Sequence, residues 1–164
     1  MYGIVCRREA VKGILKWPLI IAAVVVVLRV VAERAGAPLA LSNLLSVVVL
    51  HTVLAPLYFA VAIAKKGMPR PYLTLFMVIA IYVVLARIMV LPTYWLARIY
   101  EWNDPRFAGL WGPGVSPFYG FITLPVQTAG LWIVVSLVFG GIVGSIVLTI
   151  GRWTIGPPGR VAVN

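Results

Sequence analysis

The ionisable side chains inside the apolar stretches of this chain are the groups that could do chemistry. Arg29, His51 and Arg87 each lie in a run of residues apolar enough to cross a membrane. Ionisable groups are costly at membrane depth, so they tend to mark ligand sites or ion pathways. A guanidinium would recognise an anionic headgroup or a quinone, and an imidazole could ligate a haem or a chlorin.

Both arginines also have a structural interpretation. Arg29 and Glu33 are four residues apart, so they can form an ion pair on one face of a helix. Arg87 could extend to the headgroups or pair with an acid such as Glu101. The two interpretations predict different surroundings, because an ion-paired arginine has fewer free donors for a ligand.

His51 is the only histidine in the chain, and Pro56 follows it by five residues. A proline lacks the amide that would bond the carbonyl of Thr52, so the helix should kink there. A neutral imidazole that bonds this carbonyl or a neighbouring helix is the structural alternative to a cofactor ligand. We expect no cofactor, with a haem or chlorin on His51 as the alternative.

The patterns of common catalytic sites are missing from the sequence. The single cysteine, Cys6, lies far from the single histidine, and the chain has no Gly-rich phosphate loop, metal-spaced cluster or nucleophile elbow. Cys6 is expected to be a free thiol on the cytoplasmic side. We therefore expect a protein that is not an enzyme.

The composition is that of an integral membrane protein. Hydrophobic residues make up 62% of the chain and charged residues 11%, with a mean hydropathy of +1.04. The net charge of +10 comes from short basic clusters beside apolar runs. This distribution is typical of contacts with anionic lipid headgroups on the cytoplasmic side, so no nucleic-acid partner is expected.

Apolar runs predict an all-α fold with a single domain over residues 1–164. Four transmembrane helices are predicted, with Ser42 or Asn43 capping the second, at residues 13–32, 43–64, 72–91 and 126–150. The first run also resembles the charged and apolar regions of a secretory signal, but we interpret it as a retained helix. The aromatic, Gly/Pro-rich residues 92–125 are predicted to form an outer loop on the membrane surface. Pro92 should close or kink the third helix, and a short interfacial helix should follow it.

Nine of the fourteen basic residues lie in the amino terminus, the second loop and the tail: Arg7, Arg8, Lys12, Lys16, Lys65, Lys66, Arg70, Arg152 and Arg160. The positive-inside rule therefore predicts that both termini are cytoplasmic, in the plasma membrane or an equivalent energy-transducing membrane. In this orientation Arg29 and Arg87 lie at similar depth in the outer half. The two arginines and His51 could face a common cavity.

The last helix carries two ladders of small residues at four-residue spacing. Their members are Ser136, Gly140 and Gly144 in the first ladder, and Gly141, Ser145 and Thr149 in the second. Small residues let two helix backbones approach closely in lipid. Either this chain's own helices or another subunit would pack there.

These features favour a non-catalytic accessory or scaffold subunit of a larger membrane complex, such as a respiratory or other redox assembly. Its partners would be other integral membrane subunits and lipids. One alternative is a homo-oligomeric channel or small permease, although no helix has a polar stripe to line a pore. Another is an electron-transfer subunit that holds a haem, chlorin or quinone with His51, Arg29 and Arg87.

Overall fold

The computed structural model describes residues 2–155, except for the side chains of residues 2–10, Leu39 and Ile155. The α-helices are α1 (Tyr2–Arg34), α2 (Leu39–Leu44), α3 (Val47–Val49), α4 (Ala55–Lys65), α5 (Pro71–Ile99) and α6 (Leu124–Ile155). One π-turn, Leu50–Leu54, joins α3 to α4, and a second, Tyr119–Thr123, leads into α6. A 3-10 turn, Pro105–Phe107, lies between α5 and the second π-turn. The predictions for the Cys6 side chain and for Arg160 fall outside the described residues.

Four stretches of these helices are long and apolar enough to span a membrane. In chain order, spans one to four are Val11–Arg34, Ala40–Lys65, Pro71–Ile99 and Tyr119–Thr154, with mean hydropathies of 2.2 to 2.5. Each exceeds the roughly 20 residues that cross a hydrocarbon core. The prediction of an all-helical protein with four helices long and apolar enough to span a membrane is confirmed for the described residues.

Helix α5 lies at the centre of the bundle. It packs against α1, α4 and α6, and α4 and α6 also pack against each other. Their shared core consists of fully buried apolar and aromatic side chains, among them Ile14, Phe59, Ile63, Leu75, Ile79, Tyr82 and Leu148. Helix α1 is held mainly by α5, which leaves room between α1 and the start of span two.

Span two differs from the prediction at its start and at Pro56. Ser46, rather than Ser42 or Asn43, caps the long part of the helix, and its Oγ accepts a hydrogen bond from the Val48 amide at 3.2 Å. Its extended backbone lets the chain restart a helix after α2. The expected distortion at Pro56 takes the form of the first π-turn, so the proline falls in the first turn of α4, where its ring is tolerated.

The prediction that the third helix ends near Leu91, ahead of a separate interfacial helix, was wrong, because α5 continues through Pro92 to Ile99. The Thr93 hydroxyl donates to the Val90 carbonyl at 2.7 Å within the same turn. Beyond the proline, Ala97 packs in a small second core. One missing amide costs less than the contacts that this extension makes, so the helix persists.

The outer loop is consequently shorter than residues 92–125. Residues 117–125 are also helical, since the backbone enters helical geometry at Pro117 and passes through the second π-turn into α6. Gly120 allows this because a Cβ there would overlap the carbonyl oxygen of Leu110. Phe107 and Leu110 fill the second core below this contact. Gly120, whose local preference is to break a helix, is therefore a position where two backbone segments approach closely.

The first ladder of α6 faces the interior. Ser136 is fully buried, and a Cβ at Gly140 would lie 2.9 Å from Pro56 Cγ and 3.2 Å from the His51 carbonyl oxygen. A Cβ at Gly144 would lie 3.1 Å from the side chain of Leu75. This ladder therefore lies against span two and α5 of the same chain.

The second ladder borders an open apolar groove of about 930 Å³ between α5 and α6. A Cβ at Gly141 would lie 2.7 Å from the Phe76 ring, and Ser145 lines the same groove. At its end, the hydroxyls of Tyr72 and Thr149 share a hydrogen bond of 2.9 Å. The two ladders thus have different neighbours.

We predict that Gly140→Leu destabilises the isolated chain by about 1–3 kcal/mol, because the added side chain must displace the rigid Pro56 ring. Thermal unfolding in mild detergent would measure the loss. Val138→Leu, at a lipid-facing position that is 53% exposed, is the control and should leave the midpoint unchanged. Wild-type stability in Gly140→Leu would contradict this packing.

Candidate functional site

The structure brings Arg29 and Arg87 together with a third arginine, Arg106. Arg29 comes from α1, Arg87 from α5, and Arg106 from the 3-10 turn after α5. All three line one cavity of about 390 Å³, which we call the inner cavity. Its volume lies in the range of about 300–1,000 Å³ that small-molecule sites have. We refer to these three residues as the arginine cluster.

Glu33 ties two members of the arginine cluster together. Its Oε1 accepts a hydrogen bond of 2.9 Å from Arg29 Nε, which is the ion pair predicted from their spacing. Its Oε2 lies 2.6 Å from Arg106 Nη2, an ion pair without the angles of an aligned hydrogen bond. Arg29 Nη1 also donates to the hydroxyl of Ser46 at 3.4 Å. The carboxylate therefore fixes α1 to the turn after α5.

Arg87 is the least satisfied member of the cluster. Its side chain is buried, with 8% of the residue exposed, and neither Nε nor Nη2 has a hydrogen-bond partner among the described residues. Its guanidinium forms a cation–π contact with Trp132, whose ring centre lies 5.6 Å from Arg87 Cζ. The predicted pairing with Glu101 does not occur among the described ion pairs. Donors buried in this way are expected to have a partner.

Arg106 also has a guanidinium donor without a hydrogen-bond partner, although it is ion-paired with Glu33. Its Cζ lies 4.2 Å from the centre of the Phe107 ring, and its Nε has no hydrogen-bond partner in the described part of the chain. Burial lowers the pKa of the Arg106 guanidinium from its ordinary value, and the Glu33 carboxylate acts in the opposite direction. Arginine is the most strongly basic side chain in proteins, so Arg106 remains a cation.

A second cavity of about 480 Å³, the outer cavity, adjoins the first and shares Arg29, Asn43 and Arg106 with it. Asp104 lines its rim and forms an ion pair with Arg34. The Arg34 guanidinium also lies 4.5 Å from the centre of the Trp102 ring. Asp104 directly precedes the 3-10 turn that begins at Pro105, but its carboxylate forms this ion pair and does not cap the turn.

The charges around the two cavities do not balance. Arg34 and Asp104 neutralise each other, and Glu33 neutralises one of the three cluster arginines, which leaves a formal excess of two positive charges. Most of the remaining inner wall is aliphatic, formed by Val26, Val47, Val48, Val49 and Val90. The inner cavity can therefore receive an anionic group that carries an apolar chain.

His51 does not join the arginine cluster. It is fully buried in the first π-turn, lines neither the inner nor the outer cavity, and packs edge-on against Tyr82 with ring centres 5.2 Å apart. Neither ring nitrogen has a hydrogen-bond partner within the described residues, so the predicted bond to the carbonyl of Thr52 is absent. Among those residues no group of three or more His, Cys, Asp or Glu side chains is placed to hold a metal.

Sequence reasoning found Arg29 and Arg87 but missed Arg106, Ser46 and Trp132. Arg106 was counted as a loop charge, because the loop was expected to rest on the membrane surface. The available signal was that Arg106 stands two residues after an acid and beside an aromatic residue, in a loop whose cations equal its acids in number. Trp132 carries no signal of its own, since tryptophans are common near membrane interfaces.

The described residues define a four-span helical protein with an internal, positively charged cavity. No protein-family model, curated protein or solved structure matches the chain. Its function therefore has to be inferred from the chemistry of the site.

We predict that His51→Leu leaves stability unchanged or raises it by up to about 1 kcal/mol, because the mutation removes two buried atoms that have no partner. Phe59→Leu is a matched control, since Phe59 is also fully buried and also contacts Tyr82 edge-on, and it should cost about 1 kcal/mol. Thermal unfolding measures the stability of the two variants, and a visible spectrum of the purified protein shows whether a pigment is bound. Lower stability, or loss of a pigment, in His51→Leu would favour a bound ligand at the imidazole.

Proposed function

We propose that this protein is a non-catalytic membrane subunit that binds the anionic headgroup of a lipid in the arginine cluster. The observation that carries the proposal is Arg87, a buried residue that lines the inner cavity and whose Nε and Nη2 have no described partner. A phosphate or carboxylate would accept bonds from both atoms, which form one planar fork. The excess positive charge supports an anion over a neutral ligand.

The site is better suited to a lipid than to a freely diffusing anion. Its inner walls are aliphatic and belong to helices that can span a membrane, so an acyl or prenyl chain would contact apolar side chains on its way into the bilayer. Arginine donates hydrogen bonds but does not exchange protons in this environment. The arginine cluster therefore suits recognition more than proton transfer.

We propose that both termini are cytoplasmic and that the arginine cluster lies in the outer half of the membrane. The distribution of basic residues supports this orientation, since the loop between spans two and three has three cations and no acid. The basic ends and this loop would contact anionic headgroups on the cytoplasmic side. A headgroup bound in the cluster would then belong to the opposite leaflet.

The proposed macromolecular partners are other integral membrane subunits. Because the first ladder of α6 lies against this chain's own helices, the groove beside Gly141 and Ser145 is the small-residue surface left for a neighbour. It is apolar and open, as a surface for a lipid-embedded helix needs to be. Copurification from mild detergent would identify such a neighbour.

The orientation predicts that Pro69→Cys and Pro113→Cys, each in a Cys6→Ser background, react from opposite sides of the membrane. Both positions are exposed and lie in loops on either side of span three, and neither change alters the charge. In intact cells a membrane-impermeant maleimide should label Pro113→Cys only, and both should react after lysis. Labelling of both in intact cells would contradict the four-span topology, and labelling of Pro69→Cys alone would reverse it.

Headgroup binding predicts that Arg87→Gln weakens the affinity for an anionic lipid by about tenfold to a hundredfold, because a fork of charge-assisted hydrogen bonds is lost. Delipidated protein in neutral detergent would be titrated with phosphatidylglycerol and with phosphatidylcholine of the same chains. Wild-type protein should gain thermal stability with the anionic lipid only.

The matched control is Arg152→Gln, an identical change at an exposed arginine near the end of α6, far along the chain from the cluster. It should respond like wild type. Equal stabilisation of Arg87→Gln and wild type, or equal stabilisation by both lipids, would contradict the proposal.

A further inference from the structure

We propose that the arginine cluster selects a lipid phosphomonoester, a terminal phosphate that carries two negative charges, over a phosphodiester headgroup that carries one. This inference rests on the proposed function and names the class of headgroup that the site takes. It depends on three features of the site: the number of uncompensated charges, the geometry of the free donors, and the nature of the cavity wall.

The uncompensated positive charge of the arginine cluster favours a dianionic headgroup. Arg29, Arg87 and Arg106 face one internal carboxylate, Glu33, and the Arg34–Asp104 pair adds no net charge. A phosphomonoester carries about −1.5 to −2 charges at neutral pH. It would therefore neutralise the excess, whereas a phosphodiester would leave one arginine uncompensated in surroundings of low dielectric constant. An uncompensated buried charge is unfavourable, so the difference favours the dianion.

Arg87 and Arg106 present the free donors. In Arg87 the unpartnered atoms are Nε and Nη2, which lie on the same edge of the guanidinium plane and can bind two oxygens side by side. Arg106 adds one free donor, Nε, because its Nη2 lies 2.6 Å from Glu33 Oε2. Both residues line the inner cavity.

Together the two residues provide three free donors, two on Arg87 and one on Arg106. A terminal phosphate offers three non-ester oxygens, one for each of these donors, and both residues line the same cavity. A phosphodiester offers two such oxygens and has a second ester branch to accommodate. The donor geometry therefore agrees with the charge comparison.

The apolar cavity wall favours a lipid over free phosphate. The ester oxygen of a terminal phosphate would be followed by an apolar chain, and the valines that line the inner cavity provide an apolar surface for it. Inorganic phosphate would accept hydrogen bonds from the free donors of Arg87 and Arg106, but it would leave this apolar wall without a ligand contact. The chain should therefore add affinity to that of the phosphate group.

The test is a thermal-shift titration of delipidated protein in neutral detergent with dioleoyl phosphatidic acid, dioleoyl phosphatidylglycerol and inorganic phosphate. At pH 8 phosphatidic acid should bind at least about tenfold more tightly than phosphatidylglycerol, because it makes one more charge-assisted interaction. The preference should decrease at pH 5, where a phosphomonoester, with its second pKa near 6, is mostly monoanionic. Inorganic phosphate should bind more weakly than either lipid.

Two variants of Arg106 separate charge from geometry. Arg106→Gln removes both the charge and the Nε donor, so it should reduce the affinity for phosphatidic acid to about that for phosphatidylglycerol. Arg106→Lys keeps the charge and loses the Nε donor, so it should retain part of the preference. If Arg106→Gln does not fold, Arg106→Lys and the pH comparison on wild-type protein decide the matter.

The outcomes distinguish this inference from the proposed function. Equal affinities for the two lipids at pH 8, both weakened by Arg87→Gln, would overturn the phosphomonoester inference and leave lipid binding in place. No binding of either lipid would overturn both. Tighter binding of inorganic phosphate than of phosphatidic acid would make the site a free-phosphate site and overturn its assignment to a lipid.

Discussion

The contacts of Glu33 with Arg29 and Arg106 are the interaction on which the site depends. Three guanidinium groups cannot share a cavity of low dielectric constant unless an anion lies among them, because like charges repel strongly there. Glu33 supplies one anion and joins the end of α1 to the turn after α5. It leaves Arg87 without a carboxylate, and this incomplete compensation distinguishes the cavity from a closed salt-bridge network and is the basis of the proposed binding site.

The helices that carry these residues obey a second constraint, since every backbone polar group in lipid needs a partner within its own segment. This explains why the chain meets its irregular positions with π-turns and hydroxyl hydrogen bonds instead of open loops. Pro56 lies just after the π-turn, and Gly140 of α6 packs against both the proline and the His51 carbonyl of that turn. The continuation of α5 past Pro92 has a functional consequence, because it carries the chain to the turn that holds Arg106.

The sequence was sufficient for features that depend on composition and local spacing. Apolar runs identified four spanning helices, and the four-residue spacing identified the Arg29–Glu33 pair. Features that depend on tertiary contacts were not predictable, because a proline or glycine has the same local preference whatever packs on it. Pro92 lies inside a helix that continues to Ala97 and its core contacts, and Gly120 lies in the helical segment that begins at Pro117, where the Leu110 carbonyl approaches it. Arg106 was missed because those two errors placed its loop too far from the bundle.

The cost of burying Arg87 without an anion connects the site to the stability of the fold. A buried guanidinium edge without a partner loses its hydration and gains nothing in return, so Arg87 is expected to destabilise the protein whenever the cavity holds no anion. A ligand that binds only the folded state returns this free energy as stability, in proportion to its affinity. Headgroup binding and folding would then be one equilibrium. The position of Arg87 on α5, the helix that contacts α1, α4 and α6, would transmit the effect of the ligand to the whole bundle.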